Sequence, residues 1–352
     1  MSSIHADAEP LARKVLAAYA ITPRTLRALT SGLINTTWQV ATDTGEQLIL
    51  QRLHHSLPPE VNLNLERITR YLAEQGRITP RLLPTPQGQW WITKAHTTWR
   101  MLTYIDGMSF ATVPDLAHAT TAGRMLGDFH AALAAYHAPL PCVRAPVHEP
   151  ARHRQWLTAT LTRHTSHQLH DEVTALTDEI DTARAAIPDV ATVPLRLVHG
   201  DPKLSNLLFG PHASARCLVD LDTLTYAPLA YELGDALRSW CNPQAEDASS
   251  ATFDLSIFRA ALEGYARATQ DYLLPTEAAS IVSATETIQL ELASRFAADA
   301  LNESYFGWNA ARFATRGEHN LRRARNQLAC AQLLRQQRAL ASQIVARVFD
   351  PR

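Results

Sequence analysis

The stretch Leu197-Val198-His199-Gly200-Asp201-Pro202-Lys203-Leu204-Ser205-Asn206-Leu207-Leu208-Phe209, with Cys217-Leu218-Val219-Asp220-Leu221-Asp222 beyond it, constrains this chain more than any other. An Asp stands two residues after a His, and an Asn stands five after that Asp. A second Asp, Asp220, follows a short apolar stretch. Each residue type suits a task. Asp201 can accept the proton of an attacking hydroxyl. Asn206 offers a neutral oxygen and Asp220 a charged one to a hard cation such as Mg²⁺. Leu207–Phe209 and Cys217–Val219 read as strands, with a turn beginning at Gly210-Pro211. Such a hairpin would bring Asn206 and Asp220 to one end, as a shared metal requires.

The spacing H-x-D-x-x-x-x-N with a downstream Asp is that of a kinase catalytic loop. Phosphoryl transfer asks a protein mainly for positioning and charge neutralisation, which these groups supply. Taken singly, each residue reads as a cap in a buried hairpin. The coincidence of several spacings carries the kinase reading.

At 352 residues the chain has room for two domains, or two lobes sharing a cleft. Its 46% hydrophobic and 19% charged residues suffice for a sizeable core. A net charge of −1 and the lack of a long Lys/Arg run argue against a nucleic-acid partner. No apolar run is long enough for a bilayer, so no membrane partner is expected. Met1–Pro10 has no basic-then-apolar secretory pattern. Cys142, Cys217, Cys241 and Cys330 lie far apart and read as reduced thiols of a cytoplasmic protein. The histidines form no convincing ligand pattern.

Along the chain, Asp7–Tyr19 reads as a helix and Leu26–Leu29 as a strand. Gly32, between two strands, lets backbone N–H groups approach phosphates, so this turn reads as a nucleotide-covering loop. Gln47–Leu53 is the next strand, joined to its predecessor through Asp43-Thr44-Gly45. Kinases carry a phosphate-binding Lys there. This chain has Gln51-Arg52, and which of the two replaces the Lys stays open. Arg52 can serve as the cation, although as a planar fork rather than a point charge. Pro58–Gln75 reads as a helix closed by Gly76, with strands near 90–93 and 99–104. Tyr104-Ile105-Asp106-Gly107 breaks the pattern. The hinge is placed there, between a β-rich nucleotide-binding lobe (1–104) and a catalytic, substrate-binding helical lobe (105–352). In that second part Thr120–Tyr136, with His130 as a packing residue, Ala151–Ala186, Ala230–Trp240, Ser256–Ala268, Thr276–Leu301 and Glu318–Val348 read as helical. Glu232, Asp235 and Arg238 share a helix face. Either Asp235 braces the catalytic loop and Arg238 makes an internal ion pair, or all three are surface pairs.

The motif His199-Gly200-Asp201, Asn206 and Val219-Asp220-Leu221-Asp222 resembles that of the aminoglycoside and choline kinase-like phosphotransferase family, a branch of the protein-kinase-like fold. The chain is most similar to the bacterial N-acetylhexosamine 1-kinases of that family. Gly32-Leu33-Ile34-Asn35-Thr36-Thr37, Leu50-Gln51-Arg52, Trp99-Arg100, Asp220-Leu221-Asp222-Thr223, Tyr231–Arg238, Glu291–Phe296 with Asp299 and Tyr305-Phe306, and Glu318–Arg325 carry that likeness over nearly the whole chain. The resemblance implies an α+β, bilobal protein-kinase-like fold. It implies ATP and Mg²⁺ as cofactors and phosphorylation of the anomeric hydroxyl of a hexose or hexosamine. Carried over by position, Asp201 is the catalytic base. Asn206, Asp220 and Asp222 are metal residues, Asp222 through a bound water. Gly32, Asn35, Thr36, Arg52 and Tyr104 would meet the nucleotide. Leu33, Asp201, Thr223, Arg295 and Tyr305 would meet the acceptor. Two departures bear on that acceptor: the residue after the loop glycine, commonly His in the sugar kinases, is Leu33, and the segment between Asp299 and Tyr305 is one residue shorter.

The expected protein is a small-molecule kinase acting on a sugar, as a monomer or homodimer. An aminoglycoside or amino-alcohol kinase is the close rival. Its cationic acceptor would call for an acidic pocket, which Glu291, Asp299 and Glu303 could supply and Arg295 opposes. A metal-dependent hydrolase using His199, Asp201, Asp220 and Asp222 and a nucleotide-binding pseudoenzyme are further alternatives. Asn206 and the bilobal layout disfavour the hydrolase, and the intact Asp, Asn, Asp set disfavours the pseudoenzyme.

Overall fold

A computed structural model of the chain describes residues 3–29, 35–188, 193–269 and 272–349. It begins with helix α1 (Ser3–Ala18), followed by strands β1 (Pro23–Leu29), β2 (Thr36–Thr42) and β3 (Gln47–Arg52). Helix α2 (Val61–Glu74) comes next, then β4 (Leu82–Leu83), β5 (Ile92–Lys94) and β6 (Thr97–Thr103). The sheet order is β1-β2-β3-β6-β4, with β5 also on β6, and every pairing is antiparallel. Side chains alternate along a strand. Trp38, Val40, Leu48, Leu50, Trp99 and Met101 therefore share one face and pack with Ala12, Val15 and Leu16 of α1. The Trp38 and Trp99 rings stack with centroids 5.5 Å apart. The same alternation sends Gln51 and Arg100, directly opposed in the β3–β6 register, to the other face.

The rest of the chain is mainly helical. It comprises α3 (Leu116–Leu133), α4 (Pro150–Arg163), α5 (His170–Ala185), β7 (Leu195–Val198), β8 (Leu207–Phe209), β9 (Ala215–Leu218) and β10 (Thr225–Pro228). Then follow α6 (Leu229–Trp240), α7 (Leu255–Ala268), α8 (Pro275–Ala279), α9 (Ile281–Asn302), α10 (Arg316–Gln336) and α11 (Arg338–Phe349). The two expected strands flanking Gly210 are β8 and β9. Strands β7 and β10, which pair antiparallel, were not foreseen. Two long helical patterns turn out to be broken. The first divides at Ser280, whose hydroxyl donates to the Thr276 carbonyl within α8, and the second at Gln337.

The chain forms two compact units. One comprises residues 1–108, 136–144 and 216–224; the other comprises 109–135, 145–215 and 225–352. In the second, Val173, Leu176 and Ile180 of α5 pack with Phe296, Ala297 and Leu301 of α9 and Leu321, Ala324 and Leu328 of α10. Helices α3 and α7 meet backbone to backbone. A Cβ at Gly123 would overlap the Ala261 carbonyl, and one at Gly264 would overlap the Thr120 carbonyl. Among the described residues no helix is long and apolar enough to cross a membrane.

Gly123→Ala and Gly264→Ala should each destabilise the protein by about 1–3 kcal/mol in urea unfolding, because the cost of overpacking exceeds the better helix propensity of Ala.

Candidate active site

Strand β7 ends at Val198, and the loop from His199 to Asn206 follows it. His199 is buried, and Gly200 adopts φ +85°, a left-handed conformation that a side chain would strain. A single buried carboxylate holds the turn. Glu232, in the first turn of α6, accepts the N–H of His199 on Oε1 and that of Gly200 on Oε2, both at 2.9 Å. His130 of α3 stands behind it, with Nε2 3.4 Å from Glu232 Oε1 and Nδ1 3.0 Å from the Tyr265 hydroxyl. Trp240 Nε1 donates to the Pro202 carbonyl at 3.0 Å. The Asp201 N–H donates to His199 Nδ1 at 3.3 Å.

The loop brings Asp201 and Asn206 together. Asn206 Nδ2 donates to the Asp201 carbonyl at 2.9 Å and to Asp201 Oδ2 at 3.2 Å. The amide nitrogen is thereby engaged, which leaves the amide oxygen as the atom able to meet a cation. Lys203 Nζ lies 2.5 Å from Asp201 Oδ2. Lys203 stands inside the motif, but the motif's spacing alone does not mark it as the partner of Asp201.

Asp220, Asp222 and Thr223 lie in the unit that holds the β1–β6 sheet. Asp220 takes the left-handed conformation, at φ 63°. Asp222 is buried, and its partners are all within that unit. Arg100 Nη1 donates to Oδ1 at 2.5 Å and Arg100 Nη2 to Oδ2 at 2.9 Å. Asn35 Nδ2 donates to Oδ2 at 2.7 Å, and Arg144 Nη1 to the Asp222 backbone carbonyl at 2.8 Å. Asn35 Oδ1 also accepts the His54 N–H at 3.0 Å. Gln51, in the region where kinases carry Lys, accepts from Arg100 Nε and Nη2 at 2.8 and 2.7 Å. Arg52 is half-buried and donates to Thr36 Oγ1 at 3.1 Å; burial lowers its pKa from the ordinary arginine value. Tyr104, just past β6, and Thr223 are half-buried. Gly32 and Leu33 fall outside the described residues.

The two expected acceptor residues in the helical unit converge on one ring. The Arg295 guanidinium lies 5.7 Å from the centroid of Phe306, and the Tyr305 ring meets Phe306 edge-on at 4.9 Å. Asp299, fully buried, sets that turn by accepting the N–H groups of Ser304, Tyr305 and Phe306 at 2.8–3.0 Å. It also accepts from Asn320 Nδ2 at 2.9 Å. Glu303 Oε1 accepts the Gly317 N–H at 2.6 Å. Glu291, four residues before Arg295, is buried, with His148 Nδ1 3.1 Å from its Oε1. Asp235 makes an internal ion pair with Arg238, at 2.7 Å from Nη2, so Glu232 and not Asp235 braces the loop. His148 Nε2 is 3.7 Å from Asp235 Oδ2, an ion-pair distance rather than a hydrogen bond. Burial works against the imidazolium of His148, but Asp235 and then Glu291 outweigh it, and its pKa is pushed up to about 10.

Glu232→Gln sets an amide N–H against a backbone N–H. It should lower stability by about 1–3 kcal/mol in urea unfolding and reduce turnover in the folded fraction. The raised His148 value implies stabilisation that is complete below the unfolded histidine pKa and is lost as pH rises through about 10. The gap in urea midpoint between wild type and His148→Gln should therefore narrow from pH 7 to pH 10.

The model of the phosphotransferase enzyme family (APH) matches residues 25–270. Among solved structures, the amicoumacin kinase hAmiN in complex with AMP-PNP, Ca²⁺ and Ami is similar at TM-score 0.66 and 15% identity, over 93% of this chain and 96% of that one. The microcompartment-associated aminopropanol kinase gives 0.63 and 17%, over 95% and 98%. A choline/ethanolamine kinase family protein from Mesorhizobium loti gives 0.59 and 15%, over 97% and 99%. At these identities the likeness speaks for the fold, which is α+β and kinase-like. The family match spans more than half of the chain and includes the whole Asp201–Asn206 loop, and the chain accordingly belongs to the phosphotransferase enzyme family.

Proposed function

We propose that the chain is an ATP- and Mg²⁺-dependent kinase that phosphorylates the anomeric hydroxyl of a hexose or N-acetylhexosamine. The observation that carries the kinase part of this reading is the Asp201 carboxylate, fixed between Lys203 Nζ at 2.5 Å and Asn206 Nδ2 at 3.2 Å on a loop pinned by Glu232. Asp201 accepts the proton of the acceptor hydroxyl. Lys203 keeps that carboxylate in place. Asn206 and Asp220 would each offer an oxygen to Mg²⁺, and Arg52 would face the nucleotide. Bound Mg²⁺ offsets the charge that builds on the transferred phosphoryl group. The oxygen donors fit this ion, which is commonly held by one or two protein groups and completed by phosphates and water. The same economy suits the finding that, among the described residues, no group of three or more His, Cys, Asp or Glu could hold a metal unaided. AMP-PNP and Ca²⁺ in the similar amicoumacin kinase also favour a nucleotide with a divalent cation.

For the acceptor, Arg295 and Tyr305 offer donors to sugar oxygens beside the apolar face of Phe306. Asp299 and Glu303 are engaged with backbone N–H groups, which counts against a cationic acceptor. The second reading is an amino-alcohol or aminoglycoside acceptor. It is favoured by the similarity to aminopropanol and choline/ethanolamine kinases.

Asp201→Asn should cut turnover by about 10²–10⁴-fold while ATP still binds; near-normal turnover removes Asp201 from the base role. ³¹P NMR with Mg²⁺-ATP and a panel of N-acetylglucosamine, N-acetylgalactosamine, glucose, galactose and kanamycin should give a sugar 1-phosphate signal. Product with kanamycin alone would establish the second reading.

A further inference from the structure

Arg100 is 1% exposed, and its five N–H groups make five hydrogen bonds. Nε and Nη2 donate to Gln51 Oε1, Nη1 donates to Asn62 Oδ1 at 3.3 Å and to Asp222 Oδ1, and Nη2 donates to Asp222 Oδ2. A guanidinium so engaged has no donor left for a phosphate. It is therefore not a substitute for the lysine in phosphate binding. Asp222 is in a matching position. It is 5% exposed, a fork of charge-assisted bonds occupies both oxygens, and Oδ2 takes a further bond from Asn35. A carboxylate neutralised in this way is a poor ligand for a second cation. Two residues earlier stands Asp220, in a left-handed conformation that Asp tolerates better than most side chains but that still costs energy.

Resting on the kinase reading of Asp220, we infer that Arg100 is a positioning residue that fixes the Asp220–Thr223 segment through Asp222, and that Asp222 is its counter-ion and not a metal ligand. Gln51 faces Arg100 across the β3–β6 register and anchors the back of the guanidinium, while Asn62 of α2 takes one Nη1 hydrogen. A strand-borne cation thus acts on the metal ligand by holding its backbone, without touching phosphate.

The two roles for Asp222 predict opposite signs. If Asp222 is the counter-ion, Arg100→Met releases the segment and weakens metal binding. If Asp222 is a ligand, the same change frees it and leaves metal binding equal or tighter. The measurement is Mn²⁺ binding by EPR in the presence of ADP, with ADP affinity in EDTA as the control and circular dichroism to verify folding. Arg100→Met should weaken Mn²⁺ roughly 10- to 100-fold, the usual effect of losing a residue that orients a ligand, with ADP affinity in EDTA nearly unchanged. If Arg100→Met does not fold, Arg100→Lys decides by the same sign, since three donors on a point charge cannot span Gln51, Asn62 and both Asp222 oxygens. Equal or tighter Mn²⁺ binding in the folded variant overturns the inference. A wild-type chain with no ADP-dependent Mn²⁺ signal overturns the kinase reading beneath it, an outcome distinguishable from the first.

Discussion

A buried carboxylate that accepts two consecutive backbone N–H groups is the fixed point of the helical unit. Glu232 is 2% exposed, and removing it would leave two peptide donors without acceptors in a low-dielectric interior. Its position in the first turn of α6 also suits the positive end of the helix dipole. His130 and Tyr265 support it from behind, and Trp240 holds the far side of the loop at Pro202. Asp201 thus follows a turn whose backbone is tied to the buried core at both ends, by Glu232 and by Trp240.

The sheet unit depends on a different device. Arg100 and Asp222 are 122 residues apart in sequence and form a buried pair. Such pairs contribute little net stability against an apolar alternative, but removing one partner is costly because the other charge stays behind. The pair therefore specifies one arrangement of the Asp220–Thr223 segment more than it stabilises the unit.

The His199–Asn206 loop and most elements were legible in the sequence because their signals are local. H-x-D-x-x-x-x-N is a spacing within one short loop, and β2, β3 and β6 are short apolar runs bounded by turn residues or polar ends. The partners of the loop were harder to read. Three residues on one face of α6 suggested Asp235 as the brace, but α6 is buried nearly all round, so periodicity could not choose among Glu232, Asp235 and Arg238. Strands β7 and β10, of four residues each, are too short to show a period. A signal for Arg100 did exist. An Arg between Trp99 and Met101, both fully buried, must point to the opposite face of a central strand, where only a buried partner can neutralise it. Naming Asp222 as that partner needed coordinates.

The Gln51–Arg100 pairing bears on how chains of this kind are sorted. A lysine missing from β3 is commonly taken as a sign that a kinase-like protein has lost its chemistry. Here a buried positive charge, Arg100, stands one strand away from β3, in register with Gln51. Reading each strand separately would miss that Gln51 faces a buried arginine on the neighbouring strand, one that orders the Asp220–Thr223 segment instead of binding phosphate. Judging such proteins active or inert therefore calls for reading across the hydrogen-bonded ladder as well as along the chain.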